Sequence, residues 1–196
     1  MMNVIYILFS YLIGAISFGI VMSHLFSLPD PRTIGSKNPG ATNVLRTGKK
    51  LAALLTLLGD ALKGTLTVGL AQYFELSPLM VALVAIATLL GHIYPVYYGF
   101  KGGKGVATAA GILVMFSWMI GLTVLAIWLG VFMIWRYSSL AAIIAGSLSP
   151  VIGFFYGIDF YQLIASSIIA LILMLRHIDN LKRLINGTES SFKDKK

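Results

Sequence analysis

Residues 106–135 read V-A-T-A-A-G-I-L-V-M-F-S-W-M-I-G-L-T-V-L-A-I-W-L-G-V-F-M-I-W, thirty apolar or small residues broken by Gly111, Gly121 and Gly130. One helix of that length would greatly overshoot a bilayer. The flanking charges decide between one helix and two. Lys104 precedes the stretch and Arg136 follows it. Of the 15 Lys and Arg, 14 fall in four places: residues 32–50, Lys101 with Lys104, Arg136, and residues 176–196. Lys63 is the fifteenth, and the turns at Glu75 and Asp159 carry only acid. Cytoplasmic loops collect Lys and Arg, so all four basic places belong in the cytoplasm. The stretch must then cross an even number of times. It predicts two short helices turning near Gly121, each about 14 residues or roughly 21 Å long, against a hydrocarbon core of about 30 Å. A single long helix is the alternative, and it would set Arg136 outside.

Five further apolar segments lie outward of this one: about Asn3–Phe26, Leu51–Phe74, Leu79–Tyr98, Ser139–Tyr156 and Phe160–Leu175. The expected fold is an all-α, multi-pass integral membrane protein of about seven transmembrane helices, two of them short, with the N-terminus outside and the C-terminus cytoplasmic. Residues 1–189 form one polytopic domain in this reading, and 190–196 a disordered basic tail. Composition agrees: 58% of the 196 residues are hydrophobic and 11% charged, where soluble domains carry about 25% charge. Mean hydropathy is +0.87. A β-barrel would show apolar alternation, which is absent. The first run, Val4–Phe26, is too long for a signal-peptide core and lacks a charged n-region, so it reads as a retained span. With no cysteine, disulfides, thiolate catalysis and zinc–thiolate sites are excluded. The net charge of +8 speaks of topology and anionic lipid, not nucleic acid.

Polar residues gather in the cytoplasmic connections. Gly35-Ser36-Lys37-Asn38-Pro39-Gly40-Ala41-Thr42-Asn43-Val44-Leu45-Arg46 packs hydroxyls, amides and cations around an Asn-Pro-Gly turn signal. Phe100-Lys101-Gly102-Gly103-Lys104-Gly105-Val106-Ala107-Thr108 is a glycine–lysine loop. Its successive N–H groups are expected to form an anion nest, with a helix starting near Val106 adding its positive end. It is not a nucleotide P-loop: Tyr98 and Gly105 stand where that motif needs glycine and Ser or Thr. Within the second segment Asp60 and Lys63 sit at i, i+3 and are expected to neutralise each other in a structural role. His92 is expected to be a buried hydrogen-bonding group. The topology brings residues 36–46, 101–108, 136–139 and 176–189 to one membrane face, where cations, hydroxyls and amides suit a phosphorylated substrate and apolar walls suit an acyl chain.

Three runs carry a resemblance: G-S-K-N-P-G-A-T-N-V-L-R at 35–46, G-H-I-Y-P-V-Y-Y-G-F-K-G-G-K-G-V-A-T at 91–108, and R-H-I-D-N-L-K-R-L-I-N-G-T-E at 176–189. Together with G-D-A-L-K-G at 59–64 and R-Y-S-S-L at 136–140, they resemble the motifs of the bacterial acyl-phosphate:glycerol-3-phosphate acyltransferases of the PlsY type. The likeness spans nearly the whole chain. Lys37 and Pro39 sit where the family also uses glycine and valine. The resemblance implies acyl transfer from acyl phosphate to the sn-1 hydroxyl of glycerol 3-phosphate, the first step of bacterial phospholipid synthesis, at the cytoplasmic face of the inner membrane. It implies catalytic roles for Ser36, Arg46, His177 and Asn180, and phosphate binding by Gly102, Gly103, Lys104 and Gly105. It also implies a structural role for Glu189. Ser139 is expected beside the phosphate, and Asn38, Asn43 and Lys101 complete the expected binding set. No cofactor or metal is expected. The expected partners are acyl phosphate, glycerol 3-phosphate, the bilayer and an enzyme that forms acyl phosphate.

Chemistry is consistent with this. A mixed anhydride already carries its leaving group, so no enzyme nucleophile is needed. The work left is to place two anions and stabilise the oxyanion. Arg46 offers a bidentate fork and Lys104 a point charge. Either His177 or the donor's own phosphate can take the hydroxyl proton. A transporter of a phosphorylated solute should show internal repeats and helices broken at mid-membrane; no convincing repeat is present. A purely structural membrane protein would not need this spread of Ser, Asn, Arg and His.

Overall fold

The computed structural model describes residues 2–192, whose regular secondary structure is all helical, with no strand among the described residues. The helices are α1 (Met2–Gly14), α2 (Phe18–Leu25), α3 (Ala41–Leu45), α4 (Lys50–Tyr73), α5 (Pro78–Ile93), α6 (Val106–Phe116), α7 (Trp118–Trp135), α8 (Ser138–Phe155), α9 (Phe160–Arg176) and α10 (Ile178–Ile185), with a single 3-10 turn at Val96–Tyr98. They form two compact units, Met1–Ile112 and Leu113–Lys196, so the division falls inside α6. Four helical stretches are long and apolar enough to span: Lys50–Tyr73, Pro78–Tyr98, Trp118–Trp135 and Ser138–Phe155. Two bent pairs, α1 with α2 at 41° and α9 with α10 at 55°, raise the number to six, and Val106–Phe116 is a shorter apolar helix.

The long apolar stretch does divide in two, but not as expected. The break falls at Ser117, whose backbone is extended (φ −162°, ψ 129°), and it leaves helices of 11 and 18 residues. At 1.5 Å per residue α6 rises only about 16 Å. Gly121 is a buried residue of α7, where a Cβ would collide with Val114 of α6. The chain therefore turns sharply four residues earlier, and the glycine lets the two helices touch just past the corner.

In the first unit α4 is an inside-out helix. Its buried face is Ala52, Ala53, Thr56, Gly59, Asp60, Lys63, Gly64, Thr67, Val68 and Ala71, while Leu51, Leu54, Leu58, Leu62 and Leu66 are exposed. In lipid there is no hydrophobic gain from burying leucine, so small and polar residues take the inner face and leucine meets the acyl chains. Glycines set the crossings. A Cβ at Gly14 would strike the Thr88 carbonyl, and one at Gly91 the Tyr11 carbonyl, which fastens α1 to α5 from both sides. The Tyr11 hydroxyl then donates to the Tyr94 carbonyl at 2.7 Å. Between α4 and α6, Gly64 meets the Thr108 carbonyl and Gly111 the Ala61 carbonyl.

In the second unit α8 and α9 close over a seam of small residues. Ala142, Ala145, Gly146, Ser149 and Gly153 are buried on α8, and Ala165, Ser166, Ile169, Ala170 and Leu173 on α9. The Asp159 carboxylate caps α9 by accepting from Tyr161 N at 2.8 Å and Gln162 N at 3.1 Å. Of the tail expected to be disordered from Ser190, Phe192 donates its N–H to the Arg136 carbonyl at 3.1 Å and sets its ring edge-on to Phe132. Residues 193–196 lie outside the described residues.

Candidate functional site

The first unit builds its polar end from two loops, residues 27–40 and 99–105. Arg32 joins them. Its guanidinium takes both oxygens of Asp30, with Nη2 at 2.6 Å, and lies over the Tyr98 ring at 5.9 Å. Those hydrogen bonds from Arg32 hold the Asp30 carboxyl below the ordinary carboxylate range. Gly35 and Lys37 both take positive φ (52° and 55°), which folds the chain tightly around Ser36.

Asn43 organises this turn. It is 1% exposed; its Oδ1 accepts from Ser36 N at 3.0 Å, and its Nδ2 donates to the carbonyls of Pro31 (2.7 Å) and Ile34 (3.1 Å). The expectation that Asn43 binds substrate is therefore replaced by a loop-building role: its amide is spent on backbone. Ser36 is exposed, and Asn38 and Arg46 are half-buried.

The glycine–lysine loop also departs from expectation. Gly102 N donates to the Ile93 carbonyl at 3.2 Å and Gly103 N to the His92 carbonyl at 3.1 Å, so these two amides do not form an anion nest. Their glycines serve close contact instead. A Cβ at Gly102 would strike the His92 carbonyl, and one at Gly103 the His92 ring. Lys101 is exposed and Lys104 half-buried. Gly105 takes φ 88°, a conformation side chains rarely adopt, and α6 starts at the next residue, as expected. Cation and helix N-terminus thus meet at residues 104–106.

Behind the loop lies a buried polar chain. Lys63 pairs with Asp60 at 3.0 Å, both side chains 3% exposed or less, as the i, i+3 spacing predicts. Lys63 Nζ also donates to the Ile16 carbonyl at 2.7 Å, in the bend between α1 and α2. His92 Nδ1 lies 3.5 Å from Asp60 Oδ1 and 3.2 Å from Thr108 Oγ1. Thr, His and Asp in contact suggest a catalytic triad, but the geometry excludes one. Both partners share one ring nitrogen, whereas a triad needs the two nitrogens divided between base and orienter. Thr108 is also 0% exposed. The Ile16 carbonyl had no signal in the sequence, because a backbone acceptor carries no residue signature.

In the second unit Glu189 is the hub. Its Oε1 accepts from Ser139 Oγ at 2.6 Å and Asn180 Nδ2 at 2.7 Å, and its Oε2 from Arg183 Nε at 2.8 Å. Burial pushes this carboxyl up, but the three hydrogen bonds and the Arg183 charge outweigh it, and it lies below its ordinary value of 4.5. Ser139 was expected beside a phosphate; its one hydroxyl proton goes to a carboxylate, so it braces the start of α8. Glu189 has the structural role expected of it. The sign of the shift fixes a pH effect: stability from Glu189 is complete above pH about 4.5 and is lost as pH falls through the lower folded value. The melting temperature of the wild type should exceed that of Glu189→Gln at pH 7, and the gap should close as the pH falls below about 4.5 through the lowered folded value. A gap independent of pH would contradict the assignment.

His177 is 3% exposed and sits at the bend between α9 and α10. Its Nδ1 is 2.8 Å from the Leu173 carbonyl, which can only accept, so Nδ1 carries the proton and Nε2 the lone pair in the neutral ring. Asn180 is 5% exposed, one turn along α10.

A family model described as glycerol-3-phosphate acyltransferase matches residues 4–187. A protein of Methylobacillus flagellatus named glycerol-3-phosphate acyltransferase is 52% identical over 192 residues, covering 98% of each chain. One of Nitrosospira multiformis with the same name is 54% identical over 189 residues, covering 94% of this chain and 93% of that one. Two crystal structures of PlsY (YgiH), an integral membrane glycerol 3-phosphate acyltransferase, superpose with TM-scores of 0.93 and 0.92. They are a glycerol 3-phosphate form at 37% identity and a lysophosphatidic acid form at 36%, each covering 98% of this chain and 96% of that one.

Proposed function

Because the chain belongs to the glycerol-3-phosphate acyltransferase family, we propose that this multi-pass membrane enzyme takes its acyl group from acyl phosphate and delivers it to the sn-1 hydroxyl of glycerol 3-phosphate. The products are lysophosphatidic acid and phosphate. One observation supports direct transfer: the one Thr–His–Asp cluster among the described residues is sealed and misarranged for nucleophilic catalysis. The choice of acyl phosphate among activated donors rests on the resemblance of the motifs at 35–46, 91–108 and 176–189. A donor that is already activated needs no covalent enzyme intermediate.

The glycerol hydroxyl oxygen attacks the acyl carbon, the bond from that carbon to the phosphate oxygen breaks, and phosphate departs with the electron pair. Lys104 and the N-terminus of α6 hold the glycerol 3-phosphate phosphate, with Lys101 at the rim. Ser36, Asn38 and Arg46 hold the acyl phosphate and the developing oxyanion. His177 Nε2 takes the hydroxyl proton, and Asn180 orients the acceptor. The distribution of Lys and Arg supports a cytoplasmic face for these groups, and the family resemblance supports a bacterial inner membrane, where an enzyme that forms acyl phosphate would supply the donor.

Purified protein given labelled glycerol 3-phosphate should make lysophosphatidic acid from palmitoyl phosphate and not from palmitoyl-CoA, without added metal. Product from the CoA donor alone would discard the proposed donor, and no product from either would discard the reaction. In the same assay His177→Gln should lower kcat by about 10²-fold or more if His177 is the base. A kcat near that of the wild type would give the proton to the departing phosphate.

A further inference from the structure

We propose that His92 is the positioning residue of the glycine–lysine loop and, through it, of glycerol 3-phosphate. This rests on the assignment of Lys104 to that phosphate. His92 is 5% exposed and lies near the end of α5. Groups from two other helices converge on its Nδ1: Thr108 Oγ1 of α6 at 3.2 Å and Asp60 Oδ1 of α4 at 3.5 Å. Asp60 is held by Lys63 at 3.0 Å, and Lys63 by the Ile16 carbonyl at 2.7 Å. The Thr108 hydroxyl is the hydrogen bond on Nδ1 and the Asp60 carboxylate stands beside it, so α6 and α4 both flank the imidazole before it meets the loop.

On the loop side the same residue acts twice. Its carbonyl accepts the Gly103 N–H, and its ring occupies the space a Gly103 side chain would need. Gly102 is pressed against the same carbonyl. The loop therefore follows the face of His92, and Lys104 leaves that face at the next residue. Glycine is required at 103 by the ring and not by an anion. This gives the buried ion pair a purpose. An apolar pair could fill the same volume without the desolvation cost, but it could not orient an imidazole. Because a misplacement of about 1 Å in a positioning group can cost about 10²-fold, a ring held this firmly matters to the ligand.

The test is a double-mutant cycle on purified full-length enzyme with palmitoyl phosphate as donor. Gly103→Ala should raise the KM for glycerol 3-phosphate about tenfold or more, with kcat within about threefold and the KM for palmitoyl phosphate unmoved. His92→Asn keeps an amide where Nδ1 stands and removes the outer half of the ring. In that background Gly103→Ala should raise KM no more than about twofold, because the methyl group enters vacated space. Equal increments in both backgrounds, or both substrates' KM rising together, would overturn the proposal. If Gly103→Ala does not fold, Thr108→Val puts the same question: a severalfold rise in the KM for glycerol 3-phosphate is expected, with restoration by Thr108→Ser, and an unchanged KM overturns it. Lys104→Ala separates the two levels. An unchanged KM there removes the loop assignment itself, whereas a raised KM beside an additive cycle removes His92 alone.

Discussion

Replacing Lys104 with alanine should raise the KM for glycerol 3-phosphate by roughly 10- to 100-fold while leaving the KM for the acyl donor within about twofold. The magnitude follows from one charge-assisted hydrogen bond, about 1.5–3 kcal/mol, at a tenfold change per about 1.4 kcal/mol. The amides of Gly102 and Gly103 cannot compensate, since both donate to carbonyls of α5. What remains for the anion is the N-terminus of α6, worth about 0.3–1 kcal/mol where exposed. The loss should therefore fall on one substrate and be large. Steady-state kinetics with each substrate varied in turn decides it. An equal loss for both substrates would mean that Lys104 maintains the fold rather than the phosphate.

Removing one member of the Asp60–Lys63 pair should cost about 3–5 kcal/mol, because the survivor is left charged and buried. At this chain length that is a fall on the order of 10 °C in melting temperature in detergent. Asp60→Leu and Lys63→Met should each show it. The double substitution should be more stable than either single one, since two apolar side chains replace the pair. It should still fall short of the wild type by about 1 kcal/mol, because the Ile16 carbonyl loses its donor. Single variants as stable as the wild type would show that the ion pair is not a structural element. The double variant carries a second readout: it should fold yet retain a raised KM for glycerol 3-phosphate, since His92 has lost Asp60.

How much of this was legible in the sequence depends on which property a residue displays. Apolar length is displayed directly, so the expected Leu51–Phe74, Ser139–Tyr156 and Phe160–Leu175 match α4, α8 and α9 to within a residue. The i, i+3 spacing of Asp60 and Lys63 showed their pairing before any coordinates did. Glycine displays much less. It serves a turn, an anion nest and a close contact equally well, and only the neighbour decides among them. Gly121 was read as a turn and is a contact with Val114; Gly102 and Gly103 were read as a nest and are contacts with His92. The same ambiguity affects hydrogen-bonding side chains. Asn43 and Ser139 sit among cations and hydroxyls in the sequence, which suggests ligand binding, yet both are satisfied by partners on their own unit: Asn43 by the turn at 31–36 and Ser139 by Glu189, 50 residues away. A donor already spent on the protein cannot be told from one awaiting substrate until its partner is located.

The bend between α1 and α2 has a bearing on how the protein is made. A ribosome releases α1 and α2 before α4, and α4 is the least hydropathic of the four long spans, at 1.4 against 1.7–2.1. Each charge at the middle of an inserting helix is penalised by about 2.5–3.5 kcal/mol. Asp60 and Lys63 answer part of that penalty for each other. The rest is met by the Ile16 carbonyl, in the bend between α1 and α2. The receptor for the Lys63 ammonium is thus in the bilayer before the ammonium arrives, and His92 on α5 comes later still. Biogenesis then has a direction, in which the Lys63 ammonium is delivered to two partners synthesised before it, the Ile16 carbonyl and Asp60.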